Sequence, residues 1–263
     1  MSLETQYLDL LNRCRYAPRR ETRAGEARSL FGERLVCEDT ADCFPILQTK
    51  EVHWPSVAKE LLWFLSGDTN ARTLAAQGVR IWNEWAAPDG SLGPVYGKQW
   101  RDFGGVDQIA ELVESIETDP YGRRHLVSAW NPPEIPEMAL PPCHLMAQFY
   151  VRGEYLDCQY YQRSADVFLG LPFNLASYAL LLHLVANATG YLPGRLVATL
   201  GDVHLYENHD PQAAEQLKRP ISLLKPALAI DAPVGTPPWG VRFEQLRLLG
   251  YSPAPKIRAA VNV

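Results

Sequence analysis

The sequence predicts an α+β fold, and three observations carry that prediction. Strand-like and helix-like stretches alternate irregularly, without the roughly 30-residue strand–helix–strand rhythm of a doubly wound sheet. No Gly-x-Gly-x-x-Gly turn is present to open a dinucleotide-binding unit. Residues 174–189 are apolar around the whole helical circumference and close on Gly190, which reads as a central, buried helix.

The elements follow in order. Residues 2–14 place Leu3, Tyr7, Leu10, Leu11 and Cys14 at helical spacing. Residues 16–28 carry Arg19, Arg20, Arg23 and Arg28 without apolar periodicity, and read as a solvated basic loop. Short strands are expected at 29–37 and 44–49, around a turn at 38–42. A second helix over 54–66 gathers Val57, Leu61, Phe64 and Leu65 on one face and stops at Gly67. Residues 82–101 are a long irregular stretch. Its three tryptophans argue against disorder, so the loop reads as functional. Asp107 is placed to cap a helix bearing Ile109, Leu112, Val113 and Ile116, stopped by Pro120. Gly122-Arg-Arg124 is a turn into a strand at 125–130, and a Pro-rich loop covers 131–142. Strands at 144–151 and 155–161 form a hairpin about Arg152-Gly153. The central helix comes next, then a strand from Gly194 through Val203, a helix near 206–218, and strands at 222–230 and 241–249.

At 263 residues with no visible linker, the chain is expected to be one domain spanning residues 1–263. Hydrophobic residues make up 47% and charged residues 21%, enough apolar material for a sizeable core. The net charge of −5 provides no global field for nucleic acid, so any anion site must be built locally. Five cysteines, an odd number without Cys-x-x-Cys spacing, point to reduced thiols rather than a disulfide frame or a zinc site. No signal-peptide pattern opens the chain and no apolar run is expected to approach bilayer length. The expectation is a soluble cytoplasmic protein that meets neither DNA nor a membrane and holds no metal.

Chemistry concentrates around Leu140-Pro-Pro-Cys-His-Leu145. A cysteine in that setting is either a small core residue or a nucleophile. Pro141 and Pro142 force an extended approach, and arginines elsewhere offer the electropositive surround that lowers a thiol pKa. Glu60, within Lys59-Glu-Leu-Leu-Trp-Phe64, is either a stripe-edge carboxylate paired with Lys59 or a neighbour, or a cleft group whose burial raises its pKa.

Taken together, the ordered strings resemble the thymidylate synthase family across nearly the whole chain. They include Glu60-Leu-Leu-Trp-Phe-Leu65, Gly67-Asp-Thr-Asn70, Leu92-Gly-Pro-Val-Tyr-Gly-Lys-Gln-Trp100, Pro142-Cys-His144, Gln162-Arg-Ser-Ala-Asp166, Pro172-Phe-Asn174 and Gly201-Asp202 with His204-Leu-Tyr206. The resemblance implies an α+β homodimer with a large mixed sheet packed by helices and one sheet face at the subunit interface. It implies reductive methylation of dUMP to dTMP, with 5,10-methylenetetrahydrofolate as co-substrate. Cys143 then matches the nucleophile that adds to C6 of the base, because C5 of uracil attacks an electrophile only once a thiolate adduct has made it electron-rich. Glu60, Tyr96 and His144 match the proton relay. Arg23, Arg163, Arg123 and Arg124 match a phosphate clamp, the adjacent pair coming from the partner subunit; Ser164 matches a further phosphate donor. His204 and Tyr206 match the residues that hold the sugar 3′-hydroxyl, and Asn174 the reader of O4 and N3 of uracil. Asp166 matches the carboxylate on the folate pterin, Trp82 and Trp85 flank the folate, and His53 and Lys50 fall on its side. Val263 matches a terminus that closes over the bound ligands.

Three places depart from the family pattern: Arg23-Ala-Gly-Glu-Ala-Arg28 in place of a hydroxyl-rich loop, Asn83 in Trp82-Asn-Glu-Trp85, and Glu51 after Lys50. Each arginine taken alone reads better as a solvated surface charge, His183 as a core residue, and Cys14, Cys37, Cys43 and Cys158 as packing or surface. The joint match lifts the enzymatic reading above these. The alternative on the same scaffold is a deoxyuridylate or other pyrimidine nucleotide hydroxymethylase; a binding module without turnover is the alternative from another class.

Overall fold

A computed structural model describes residues 1–262. Helix α1 (Leu3–Arg15) starts at Ser2, whose hydroxyl accepts the Thr5 amide, and packs Tyr7, Leu10, Leu11 and Cys14 on the sheet. The segment expected to be a basic loop is largely a hairpin. Strand β1 (Arg19–Thr22) pairs antiparallel with the start of β2 (Gly25–Cys37) around Arg23 and Ala24. Every residue of β1 is exposed, so neither face requires apolar side chains and no alternation exists to be read.

Helix α2 (Trp54–Leu65) runs as its apolar face demands, and Gly67 follows at φ +79°. Residues 44–49 pair with no strand among the described residues; Phe44, Ile46 and Leu47 bury in the core without joining the sheet. Helix α3 (Ala71–Ala76) was not anticipated, nor was α4 (Tyr96–Arg101), which ends the irregular tryptophan-rich stretch. Helix α5 (Gln108–Thr118) has Asp107 as its cap, accepting from the Ala110 amide. Then come β3 (Leu126–Ser128), β4 (His144–Arg152) and β5 (Tyr155–Asp166), helix α6 (Gly170–Thr189) and β6 (Leu192–Tyr206). Helix α7 (Asp210–Leu217) begins only at Asp210, with Pro211 in its first turn. Strands β7 (Ala227–Ile230) and β8 (Leu246–Leu249) are shorter than their apolar stretches and form a separate two-stranded sheet.

The main sheet has six strands in the order β1-β2-β6-β5-β4-β3. Its central pair, β5 and β6, is parallel and all other neighbours are antiparallel. The sheet is therefore mixed, as expected, and the parallel pair needs a crossover, which α6 supplies. By length and composition α6 could span a bilayer, contrary to the expectation that no apolar run reaches that size. Its most apolar window is 83% buried inside the protein, which makes it the core helix. Gly190 ends it in the left-handed region at φ +77°, where a Cβ would be strained.

Helices cover one sheet face; along β4 the other face is open. Ala147, Phe149 and Val151 are buried, whereas Met146, Gln148 and Tyr150 are exposed. Register extends that open face to Leu126, opposite Gln148, and to Tyr161, opposite Met146.

Candidate active site

Cys143 sits where the Pro-rich loop enters β4, and its backbone is held from two sides. Its N–H donates to the Tyr96 hydroxyl at 2.8 Å, and its carbonyl accepts the Arg163 amide at 2.8 Å. The Arg163 guanidinium adds two further bonds, donating from Nε to Pro142 O (2.8 Å) and from Nη2 to Pro141 O (3.0 Å). Tyr96 can reach the loop because Gly97 follows it. A Cβ at Gly97 would lie 2.3 Å from the Asp68 carbonyl, so only glycine lets α4 approach that turn.

A cleft of about 430 Å³ opens beside Cys143, a size ordinary for small-molecule sites. Strands β5 and β6 contribute Gln162, Arg163, Ser164, Asp166, His204 and Tyr206. Ser164 and Asp166 share a face by the two-residue strand period, as do His204 and Tyr206, and register sets Asp166 opposite His204. Helix α6 contributes Gly170, Phe173 and Asn174. Glu60, Trp82, Trp85, Tyr96 and His144 line it as well, with Arg23, Ala24, Val261 and Asn262 from the hairpin turn and the chain's end.

Burial dominates the electrostatics. The Glu60 carboxyl is pushed up to about 7 by desolvation, opposed by the hydrogen bond that Trp82 Nε1 donates to Oε1 at 2.7 Å. Lys59 is not its partner: that ammonium donates to Gln77 O and lies over the Phe243 ring. Of the two readings of Glu60, the structure takes the buried cleft group. A carboxyl raised in the folded state binds more protons there than in the unfolded chain between about pH 4.5 and 7, so it erodes stability as pH rises through that window. Glu60→Gln should remove this slope. Its stability relative to wild type should grow by roughly 3 kcal/mol from pH 4.5 to 7 and stay level above. Denaturant titrations of both proteins across that range check the sign, and parallel curves would place the Glu60 pKa near its ordinary value.

His144 is held neutral, its pKa lowered by burial to about 3. It stacks on Tyr96 with ring centroids 4.1 Å apart, and its Nδ1 shares a hydrogen bond with the Tyr178 hydroxyl at 2.9 Å. Burial raises the Tyr96 phenol well above its ordinary value. The Cys143 thiol is likewise raised by burial, with Arg163 opposing. This corrects the expectation of a thiol lowered by several arginines. Only Arg163 acts on it, because Arg23 is exposed at the hairpin turn and Arg123 and Arg124 lie outside the cleft.

Two further groups show which of their atoms remain free. Asp166 Oδ1 accepts the Phe168 and Leu169 amides at 2.9 and 3.0 Å, which leaves Oδ2 without a protein partner among the described residues. Gln162 Nε2 donates to Asn174 Oδ1 at 3.1 Å, so Asn174 Nδ2 is the donor left for a ligand.

The cleft thus brings together most of the residues singled out in the sequence. Arg123 and Arg124 are exposed instead, and Arg124 lines a separate cavity with Phe103, Leu112 and Leu126. His53 is exposed at the start of α2, sharing a hydrogen bond with Ser56 at 2.7 Å. Lys50 is buried, its ammonium 3.6 Å from the Phe168 ring centroid and bonded to the Phe168 carbonyl. Val263 lies outside the described residues. Glu26, the added acid near the proposed anion site, pairs with Arg19 at 3.4 Å. Among the described residues no group of three or more His, Cys, Asp or Glu side chains is arranged to hold a metal ion.

Sequence reasoning gave no role to Tyr178, Gln162 or Asn262. Tyr178 was within reach, since it stands one helical turn from Asn174 on α6. Asn262 had no signal: its amide donates to Ala24 O at 2.9 Å and accepts from Asn208 at 3.0 Å, tertiary contacts to the β1–β2 hairpin turn and to the turn after β6. A protein-family model described as thymidylate synthase matches residues 5–263.

Proposed function

We propose that this chain, which belongs to the thymidylate synthase family, converts dUMP to dTMP. The family implies an enzyme that modifies a pyrimidine nucleotide; the methylation of dUMP is the specific reading. The observation that carries it is the convergence of Cys143, Glu60, Asp166 and Asn174 on one cleft.

In this reading Arg23, Arg163 and Ser164 take the phosphate, with His204 and Tyr206 at the sugar. Asn174 faces the base with Nδ2 toward O4. The Cys143 sulfur attacks C6, and the ring becomes an enolate whose C5 is nucleophilic. The thiol is protonated at rest because it is buried, so attack requires proton removal within the cleft. Glu60, with a pKa of about 7, can hold or release a proton at neutral pH. His144 stays neutral and orders the relay through Tyr96 and Tyr178. Trp82, Trp85 and Phe173 offer flat apolar surface, and the free Oδ2 of Asp166 suits an amide-bearing heterocycle such as the pterin of a folate. When bound, 5,10-methylenetetrahydrofolate supplies one carbon and a hydride.

The open sheet face, with Leu126, Met146 and Tyr150 exposed, supports association with a second copy of the chain. That copy would bring Arg123 and Arg124 to the phosphate. Mass spectrometry of the product from dUMP and 5,10-methylenetetrahydrofolate tests the reading. A methyl adduct is expected. A hydroxymethyl product would replace it with the hydroxymethylase reading, and unchanged dUMP would remove both.

Base choice has its own test. Asn174→Asp should shift preference from dUMP toward dCMP. Cytosine presents an acceptor at N3 and a donor at C4, the reverse of uracil, and a protonated aspartate can pair with both. Each buried partner left unpaired costs about 1–3 kcal/mol, so the ratio of kcat/KM values should move by roughly ten- to a hundredfold. An unchanged ratio would show that Asn174 does not read the base.

A further inference from the structure

Asp202 lies two residues before His204 on β6, so the two side chains share a face of the strand. Asp202 Oδ1 and His204 Nδ1 are 2.9 Å apart. That bond with His204, and a lesser one from Ser29, holds the Asp202 carboxyl below its ordinary range. Arg20, on the adjoining hairpin, stands 3.9 Å from Oδ2. An ionised carboxylate only accepts hydrogen bonds, so the imidazole must place its proton on Nδ1. In the neutral ring Nε2 is then an acceptor, and it has no protein partner among the described residues while His204 lines the cleft.

We infer that Asp202 is a positioning residue that fixes His204 as an acceptor, so that the cleft requires a hydroxyl donor on the sugar of its nucleotide. The inference rests on the nucleotide reading above and adds to it the direction of the hydrogen bond. His204 accepts the proton of the 3′-hydroxyl, and a nucleotide lacking that group leaves a desolvated Nε2 unpaired. Tyr206, two residues further along the same face, carries a hydroxyl that can still donate to or accept from the sugar oxygen. Asp202 itself does not line the cleft, and acts only through His204.

Nitrogen-15 NMR of the histidine rings in the intact protein reads the tautomer directly. His204 is expected as the Nδ1–H form in wild type, and a redistribution toward Nε2–H is expected in Asp202→Asn, whose amide can donate to Nδ1. Calorimetry with dUMP and its 3′-deoxy analogue gives the second readout. Wild type should prefer dUMP by roughly ten- to a hundredfold, and Asp202→Asn should narrow that gap severalfold. The wild-type measurements stand even if Asp202→Asn fails to fold. A wild-type Nε2–H tautomer would overturn the assignment. Equal wild-type affinity for the two nucleotides would overturn the sugar-reading role and leave the nucleotide reading intact. Failure of wild type to bind either nucleotide would remove the nucleotide reading, and the sugar role with it.

Discussion

Cys143→Ser should reduce turnover by roughly a thousandfold or more while leaving nucleotide affinity near normal. A serine hydroxyl is almost never ionised near neutral pH, and no neighbour in this cleft is basic enough to change that. His144 is held neutral with its pKa at about 3, and Arg163 engages the loop carbonyls. The loop should keep its shape, because everything that fixes it uses backbone atoms. Tyr96 takes the Cys143 amide, Arg163 N–H donates to the Cys143 carbonyl, and the guanidinium bonds both proline carbonyls. Loss of turnover with retained dUMP binding, measured by calorimetry and single-turnover kinetics, is therefore the expected pair of results. Full turnover in pure Cys143→Ser protein would mean that another group attacks C6.

Arg123→Glu should abolish most activity, and Cys143→Ala protein should restore part of it. Arg123 is exposed and outside the cleft of its own chain, so a role at the phosphate requires a second copy. After random exchange of equal amounts, half of the dimers are mixed. Each mixed dimer has one site with both an intact cysteine and an intact arginine, so about a quarter of all sites should work. Were the arginine to act within its own chain, each mixed site would lack one of the two, and nothing would be restored. Absence of rescue despite verified exchange would sink the shared site.

Most of the cleft was legible because its residues are clustered in short strings. Ser164 with Asp166 and His204 with Tyr206 each obey the strand period, and Cys143-His144 follows its two prolines. The central helix was legible because apolar surface on every side has no stable place but the interior. What could not be read depended on partners distant in sequence. Glu60 became a buried acid only when Trp82 and the core closed around it, and Arg163 is a loop clamp only because Pro141 and Pro142 fold back onto β5. The hairpin at β1 is silent in the sequence because exposed strands need no apolar alternation, while 44–49 has the composition of a strand and finds no ladder among the described residues. The direction of the thiol shift is not legible in the sequence, which shows arginines but neither their distance nor the burial that outweighs them.

The strand order has a consequence for how the chain reaches this state. Strand β2 pairs only with β1 and, over residues 27–37, with residues 196–206 of β6. A chain emerging from its N-terminus must therefore make β5 and the whole of α6 before the main partner of β2 exists. Such remote pairing closes large loops before any contact rewards it, which slows folding and leaves strand edges open to other chains meanwhile. Because the cleft draws on Arg23 at one end and Asn262 at the other, it is among the last features to be completed, and nucleotide binding in a refolding experiment should lag behind the recovery of helical signal.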